Sequence, residues 1–587
     1  AHERLSKRLA LAVFSSDALS SVAYATEEIL LVLTLAGAAM VGYSIPLSLS
    51  IIGLLIILTM SYRQIIFEYP EGGGAYIVGK SNLGEWPGLV AAAALMIDYV
   101  LTVAVSVAAG MAALISAVPA LLPHREALCV AAILLVTVVN LRGVRESGQF
   151  FAVPTYIFIA TIAAMLGVGA VQILFGHAAR VEPLPSMAPT EPLTLFLLLR
   201  AFSSGCTALT GVEVISNGVS AFKKPEPKNA AFTMIGMAAI LGTMFIGISA
   251  MAYYFGIVPK EDETVVSQIA RATFGTGPLY FLVQASTMVI LILAANSSFN
   301  GFPRLASILA RDSYMPHQMS MMGDRLVFSN GVIILGVFSC LLIVLFNGDT
   351  HALIPLYAVG VFLSFTISQA GMVKRWLVKK GPHWEKKLLV NGIGAVTTAI
   401  ATLIIASTKF AHGAWIVIVL IPLLITFFRA IRSHYKAVSE QVALSRGHRP
   451  PMPRRNIVVL PIGGVNRAVI RAVDYARSRS GDIRAVLVDV DPEETARVEI
   501  QWAQWGCGVP LTVLPSPYRS VLSSLLDYLE QVLQKDQECW VTVVIPEILP
   551  ARWWQNILHN QRAFMLKGAL LFKDRVILTD VPYHLTR

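Results

Sequence analysis

The chain has 587 residues, 55% of them hydrophobic and only 14% charged, with a mean hydropathy of +0.66. Soluble domains carry about a quarter charged residues, so a purely soluble protein is excluded and a polytopic membrane protein is expected. The formal net charge of +10 is no nucleic-acid signal, because the basic residues sit in short loops between apolar spans, where they set orientation.

Apolar stretches fit a hydrocarbon core near 9–36, 45–68, 88–118, 126–141, 151–175, 193–221, 230–257, 278–301, 329–347, 351–373, 388–408 and 412–430, twelve in all. An even number puts both termini on one side. Arg4, Lys7, Arg8, Arg63, Lys80, Arg142, Arg145, Lys223, Lys224, Lys228, Arg304, Arg311, Arg325 and the run Lys374–Lys387 crowd one set of connections. The opposite loops offer little beyond Arg125, Arg180, Lys260, Arg271 and Lys409, so both ends are expected in the cytoplasm. Lys7-Arg8 lead straight into the first span with no small-residue cleavage pattern, so no cleavable signal is expected. The five cysteines show no CxxC spacing, which argues against a metal or disulfide framework.

The first span contains Phe14-Ser15-Ser16-Asp17-Ala18-Leu19-Ser20-Ser21-Val22-Ala23-Tyr24. A carboxylate at bilayer depth costs about 2.5–3.5 kcal/mol on insertion scales, so Asp17 must face a cation, a proton or water. Asp17 and Tyr24 lie two helical turns apart and would share a face of a continuous helix. The 2–3 connection carries Gly72-Gly73-Gly74, which permits either a tight re-entrant backbone or a flexible loop. Span 3 holds Asp98-Tyr99-Val100-Leu101-Thr102, with Asp98 and Thr102 on one face.

Span 6 returns to the pattern of span 1, with Phe202-Ser203-Ser204-Gly205-Cys206-Thr207-Ala208-Leu209-Thr210-Gly211-Val212-Glu213. Two polar, interrupted spans in corresponding halves point to the site of an inverted-repeat transporter. Arg304–Asp312 reads as a short cytoplasmic helix, and span 10 contributes Tyr357. Residues 433–455 read as a linker, closing a transmembrane domain at 1–432. Residues 456–587 alternate strands and helices, as a doubly wound parallel sheet does. The strands are expected at 456–461, 485–490, 511–514 and 540–545.

Asp17, Tyr24, Asp98, Tyr99, Thr102, Thr210, Glu213 and Tyr357 are all oxygen ligands, the type that hard cations prefer. Carbonyls freed by unwinding spans 1 and 6 would add to the shell. Carboxyls brought together in an apolar slab need not all be ionised, and Glu213, beside Gly211, is the candidate for proton coupling. Any one hydroxyl taken singly is equally well a helix–helix hydrogen bond.

Taken whole, Ser15–Tyr24, Gly72–Val78, Asp98–Ser106, Ala201–Cys206, Ala208–Glu213, Ile354–Gly360 and the terminal Pro582-Tyr583-His584 resemble the KimA family of bacterial potassium importers. These form part of the KUP group in the amino acid–polyamine–organocation (APC) superfamily. The resemblance implies a multi-pass protein of the bacterial inner membrane and no enzyme. Its fold would be an α-helical LeuT-type 5+5 inverted repeat of 12 transmembrane helices. A C-terminal cytoplasmic α/β domain similar to universal stress proteins would hold a homodimer together. It implies K+/H+ symport, with potassium on the eight residues above and no organic cofactor or nucleic acid polymer. Cyclic di-AMP is an inhibitor within the family; for this chain, Gly463-Gly464 after a strand reads equally as a phosphate cradle or a structural turn. The alternative is a proton-coupled amino acid permease of the same superfamily. Such permeases bind a carboxylate at glycine-rich breaks, whereas span 1 places Asp17 there. A passive channel would need a continuous filter, and no TVGYG-type loop occurs.

Overall fold

The computed structural model describes residues 4–72, 74–142, 148–175, 189–322, 328–443, 455–516, 520–536, 538–550 and 561–585. The chain divides into two compact units, Ala1–Val442 and Ala443–Arg587. In hydrocarbon every backbone polar group must be satisfied within the segment, which makes the first unit helical.

Its first span is two helices, α1 (Lys7–Ser20) and α2 (Ala25–Leu33), joined by a 3-10 turn at Ser21–Ala23. Next come α3 (Ser44–Glu68), α4 (Ala75–Asn82), α5 (Glu85–Ala117), α6 (Arg125–Leu141) and α7 (Gly148–Leu174). The sixth span is again broken, into α8 (Leu195–Gly205) and the single turn α9 (Val214–Asn217). After it come α10 (Glu226–Phe255), α11 (Val265–Phe274), α12 (Pro278–Arg311), α13 (Ser329–Leu345), α14 (Thr350–Lys379), α15 (Trp384–Thr408) and α16 (Ala414–Val442).

Among the described residues, eleven stretches are long and apolar enough to cross a membrane. The twelfth expected span is α13, whose 17 residues reach about 26 Å, short of a hydrocarbon core of about 30 Å. The short helix expected at Arg304–Asp312 is not separate, because α12 runs unbroken through Pro303 for 34 residues. The glycines of the 2–3 connection lead into a packed helix rather than a flexible loop. Gly72 has φ +113°, and a Cβ there would stand 2.8 Å from the Asn217 carbonyl oxygen; Gly73 lies outside the described residues. The helix that follows, α4, buries Ala75, Tyr76 and Val78 against α5 and α14. α16 continues to Val442, through the first residues read as linker; 444–454 lie outside the described residues.

Burial separates the spans into two classes. The apolar window is 83% buried in Lys7–Ala36, 78% in Glu85–Ala117, 72% in Thr350–Lys379 and 67% in Leu195–Asn217, and no other exceeds 56%. These four spans carry all eight expected site residues, so the acids sit in the interior of the bundle.

The second unit is a five-stranded parallel sheet of order β3-β2-β1-β4-β5. The strands are β1 (Arg455–Ile462), β2 (Asp482–Asp489), β3 (Leu511–Pro515), β4 (Cys539–Leu549) and β5 (Val576–His584). Alternation along β1 sends Val458 and Leu460 to the face covered by α17 (Arg467–Arg477) and α18 (Pro492–Trp505). Ile457 and Val459 face α19 (Val521–Lys535). β5 and α20 (Gln561–Leu570) were not legible in the sequence; the rest of the doubly wound sheet was.

Candidate functional site

The break in span 1 is made by serine, not glycine. Ser20 Oγ donates to the Asp17 carbonyl at 2.8 Å, and Ser21 Oγ lies 2.6 Å from the Ala18 carbonyl. Such hydroxyls compete with the amides for helix carbonyls. The backbone tightens to a 3-10 turn and leaves helical geometry at Tyr24, where φ is −126° and ψ −21°. Ser21 Oγ is also 3.1 Å from the carbonyl of Ala208, which ties the break to span 6.

Span 6 breaks by a different device. A 3-10 turn at Cys206–Leu209 ends in extended Thr210, and Gly211 takes φ +79°, a region costly for any side chain. A Cβ at Gly211 would lie 2.8 Å from Asp17 Cγ and 2.9 Å from the Ala18 amide nitrogen. The two interruptions are therefore in direct contact, and the one acid of span 1's polar stretch sits at the contact.

The other site residues gather around it. Thr102 Oγ1 donates to the Tyr357 hydroxyl at 2.9 Å, joining α5 to α14. Thr210 neighbours the Tyr24 phenol. Asp98 is close enough to Asp17 and Glu213 to feel both charges, as is Tyr99 to all three acids. Seven of the eight residues are less than 9% exposed, and Tyr99 is half-buried with its ring against Gly301 of α12. Asp98 Oδ1 and Glu213 Oε2 are buried with no hydrogen-bond partner among the described residues. The acids are neighbours without converging on one point: among the described residues, no three His, Cys, Asp or Glu side chains have the spacing of a metal cluster. An ion here would draw on hydroxyls and backbone carbonyls as well as on the acids.

Sequence reading missed two features. Ser297 of α12 points its Oγ at Asp17 Oδ2, 3.5 Å away. Its signal was the polar triplet Asn296-Ser297-Ser298 inside an apolar span. The second is a cluster beyond the site. Glu28 lies 2.6 Å from His351 Nδ1, Glu27 lies 3.7 Å from Nε2, and Glu27 Oε2 accepts from the Val265 amide at 3.3 Å. Lys409 joins this cluster electrostatically through Glu28. Its ammonium is buried without a hydrogen-bond partner among the described residues, and burial pushes it down to about 8. The cost argument that singles out Asp17 applies equally to Glu27 and Glu28.

Comparison with known proteins agrees with this architecture. A model of the amino acid permease family matches residues 7–428, and one of the KimA potassium transporter C-terminal domain matches residues 454–583. The chain is 45% identical over 585 residues to the potassium transporter KimA of Bacillus subtilis, covering 99% of this chain and 96% of that one. It is 22% identical to the low-affinity putrescine importer PlaP of Escherichia coli, over 55% of this chain and 71% of that one. The human Asc-type amino acid transporter 1 is 24% identical over 57% of this chain and 64% of its own length. The chain belongs to the KimA potassium transporter family, whose membrane part is of the amino acid permease family.

Proposed function

We propose that this chain takes up potassium by K+/H+ symport and alternating access, with K+ on Asp17, Tyr24, Asp98, Tyr99, Thr102, Thr210, Glu213 and Tyr357. The observation that carries the reading is the contact of the two span breaks at Asp17 and Gly211, inside the four most buried spans. Likeness to KimA over 99% of the chain supports potassium as the cargo. Two broken spans of equal rank support a LeuT-type 5+5 repeat, in which α13 completes a set of twelve spans.

Glu213 is the proposed proton carrier. It follows the Gly211 turn directly, and its Oε2 is unpartnered among the described residues. Symport is energetically adequate. Each unit charge moving inward through 100 mV releases about 2.3 kcal/mol, so K+ with one proton releases about 4.6 kcal/mol. A tenfold gradient costs about 1.4 kcal/mol, so symport sustains about a thousandfold gradient and uniport less than a hundredfold.

The protein would sit in a bacterial inner membrane with both termini cytoplasmic, and would form a homodimer through a universal-stress-protein-like tail. Cyclic di-AMP would act there. Gly463 and Gly464 have open space around them and ordinary φ, so the fold itself does not demand them. Against a phosphate cradle, Asn466 Oδ1 already accepts from the Ala468 and Val469 amides at the start of α17. An amino acid permease remains the competing reading, favoured by the family model over 7–428. Asp17 at the contact of the breaks opposes it, since an acid there repels a carboxylate.

The test is ⁸⁶Rb+ uptake into proteoliposomes under an imposed proton gradient. Asp98→Asn is expected to abolish most uptake, and Glu213→Gln to leave residual uptake that no longer follows pH. Normal uptake by Asp98→Asn, or proton-driven amino acid uptake indifferent to K+, overturns the reading.

A further inference from the structure

Outside the transport site, a cavity of about 280 Å³ opens between α3, α14 and α15. It lies at the ends of these helices: Glu68 is the last residue of α3, Lys379 the last of α14, and Lys387 falls in the first turn of α15. That is the level at which lipid headgroups meet a transmembrane bundle.

Part of its lining is cationic. Arg63 is exposed and, among the described residues, pairs with no carboxylate. Lys387 Nζ stands 4.4 Å over the Trp376 ring. The acid at the rim, Glu68, is already held by Arg375 at 2.8 Å and by Lys379 at 2.8 Å. Four cations thus meet one carboxylate. The rest of the lining is apolar, formed by Met60, Phe67 and Val390, with Met60 and Phe67 half-exposed on the outer surface of the bundle.

The floor is rigidly built. Trp376 Nε1 donates to Gln64 Oε1 at 3.0 Å and to Asn391 Oδ1 at 3.1 Å. Asn391 Nδ2 in turn donates to Ser61 Oγ at 2.8 Å and Gln369 Oε1 at 3.0 Å. This buried network crosses all three helices and fixes the indole on which Lys387 rests. Gln64, which also lines the cavity, spends its carbonyl on the indole, so its amide N–H groups have no partner among the described residues.

We infer that this pocket binds an anionic glycerophospholipid, its phosphate between Arg63, Lys387 and the Gln64 amide, and an acyl chain along Met60 and Val390, one turn deeper on α3 and α15. Cationic donors near the helix ends beside apolar side chains exposed on the outer surface match both halves of such a molecule, as basic pockets between spans do. A soluble anion would leave the apolar side chains unused.

The test is native mass spectrometry of the full chain incubated with phosphatidylglycerol or phosphatidylcholine. The wild type is expected to retain phosphatidylglycerol several-fold over phosphatidylcholine. Arg63→Gln with Lys387→Gln should lose that preference, and so should Val390→Trp, which fills the pocket without changing charge. Lys223→Gln with Lys224→Gln, an exposed basic pair elsewhere, should keep it. Equal retention by the pocket variants, or equal loss by the control pair, overturns the assignment. So does displacement of the lipid by millimolar inorganic phosphate, which would mark a free-anion site. Thermal melting of each variant shows that it is folded.

Discussion

Replacing Gly211 with alanine tests whether Asp17 holds the transported cation. The new Cβ would lie 2.8 Å from Asp17 Cγ where ordinary contact begins at 3.4 Å, so full relief moves the carboxylate by about 0.6 Å. A unit charge moved from about 3.0 to about 3.6 Å at an effective dielectric of about 20 loses about 0.9 kcal/mol of attraction. That is about fivefold in affinity. Holding alanine at φ +79° costs about 1–2 kcal/mol more, felt as stability rather than as affinity. The assay is the concentration dependence of ⁸⁶Rb+ uptake, read beside the melting temperature. Gly236→Ala is the control: nothing lies within 4 Å of its Cβ, in the middle of α10, so it should transport normally and gain about 0.5–1 kcal/mol. A folded Gly211→Ala protein with unchanged half-saturation would show that Asp17 does not ligate the cation beside Gly211.

Thr102→Val removes the donor to the Tyr357 hydroxyl without changing shape, and is expected to cost about 1 kcal/mol and to weaken Rb+ uptake; Thr102→Ser should retain both, and equal behaviour of the two variants refutes the role. Lys409→Met should raise the melting temperature at pH 7, because the buried ammonium is held at about 8. The wild type recovers as pH rises from 8 toward the free-lysine value of about 10.4, so the gap should close in that window, and a variant no more stable at pH 7 counts against it. In the second unit, Arg484 and Arg455 hold the Asp482 carboxyl below its usual range, Arg484 through bonds of 3.0 and 3.1 Å. That stabilisation is complete above the free-aspartate value of about 3.9 and is lost as pH falls through the folded value. Asp482→Asn should therefore melt lower than wild type at pH 7 and converge with it only as pH falls below the lowered value of the folded carboxyl; a constant difference would refute the linkage.

Hydropathy and charge alone determined that the chain crosses a bilayer and which spans hold costly acids. A carboxylate in hydrocarbon is expensive wherever its helix lies, so Asp17, Asp98 and Glu213 stand out before any fold is known. Strand–helix alternation likewise exposed most of the C-terminal sheet, because the apolar runs of β1, β2 and β4 are buried on both faces. β5 escaped, since it is an edge strand with only Val581 fully buried. The short helix α4 escaped because glycines announce a turn but not what packs beyond it.

Only the tertiary structure decided what the acids meet. That Gly211 presses on Asp17, that Thr102 reaches Tyr357 across 255 positions, and that Glu28 finds His351 are contacts between distant segments. Local propensity carries no information about such partners; they follow from how the most buried helices pack. The same packing placed Ser297 beside Asp17 and built the cationic pocket under Arg63 from three separate helices.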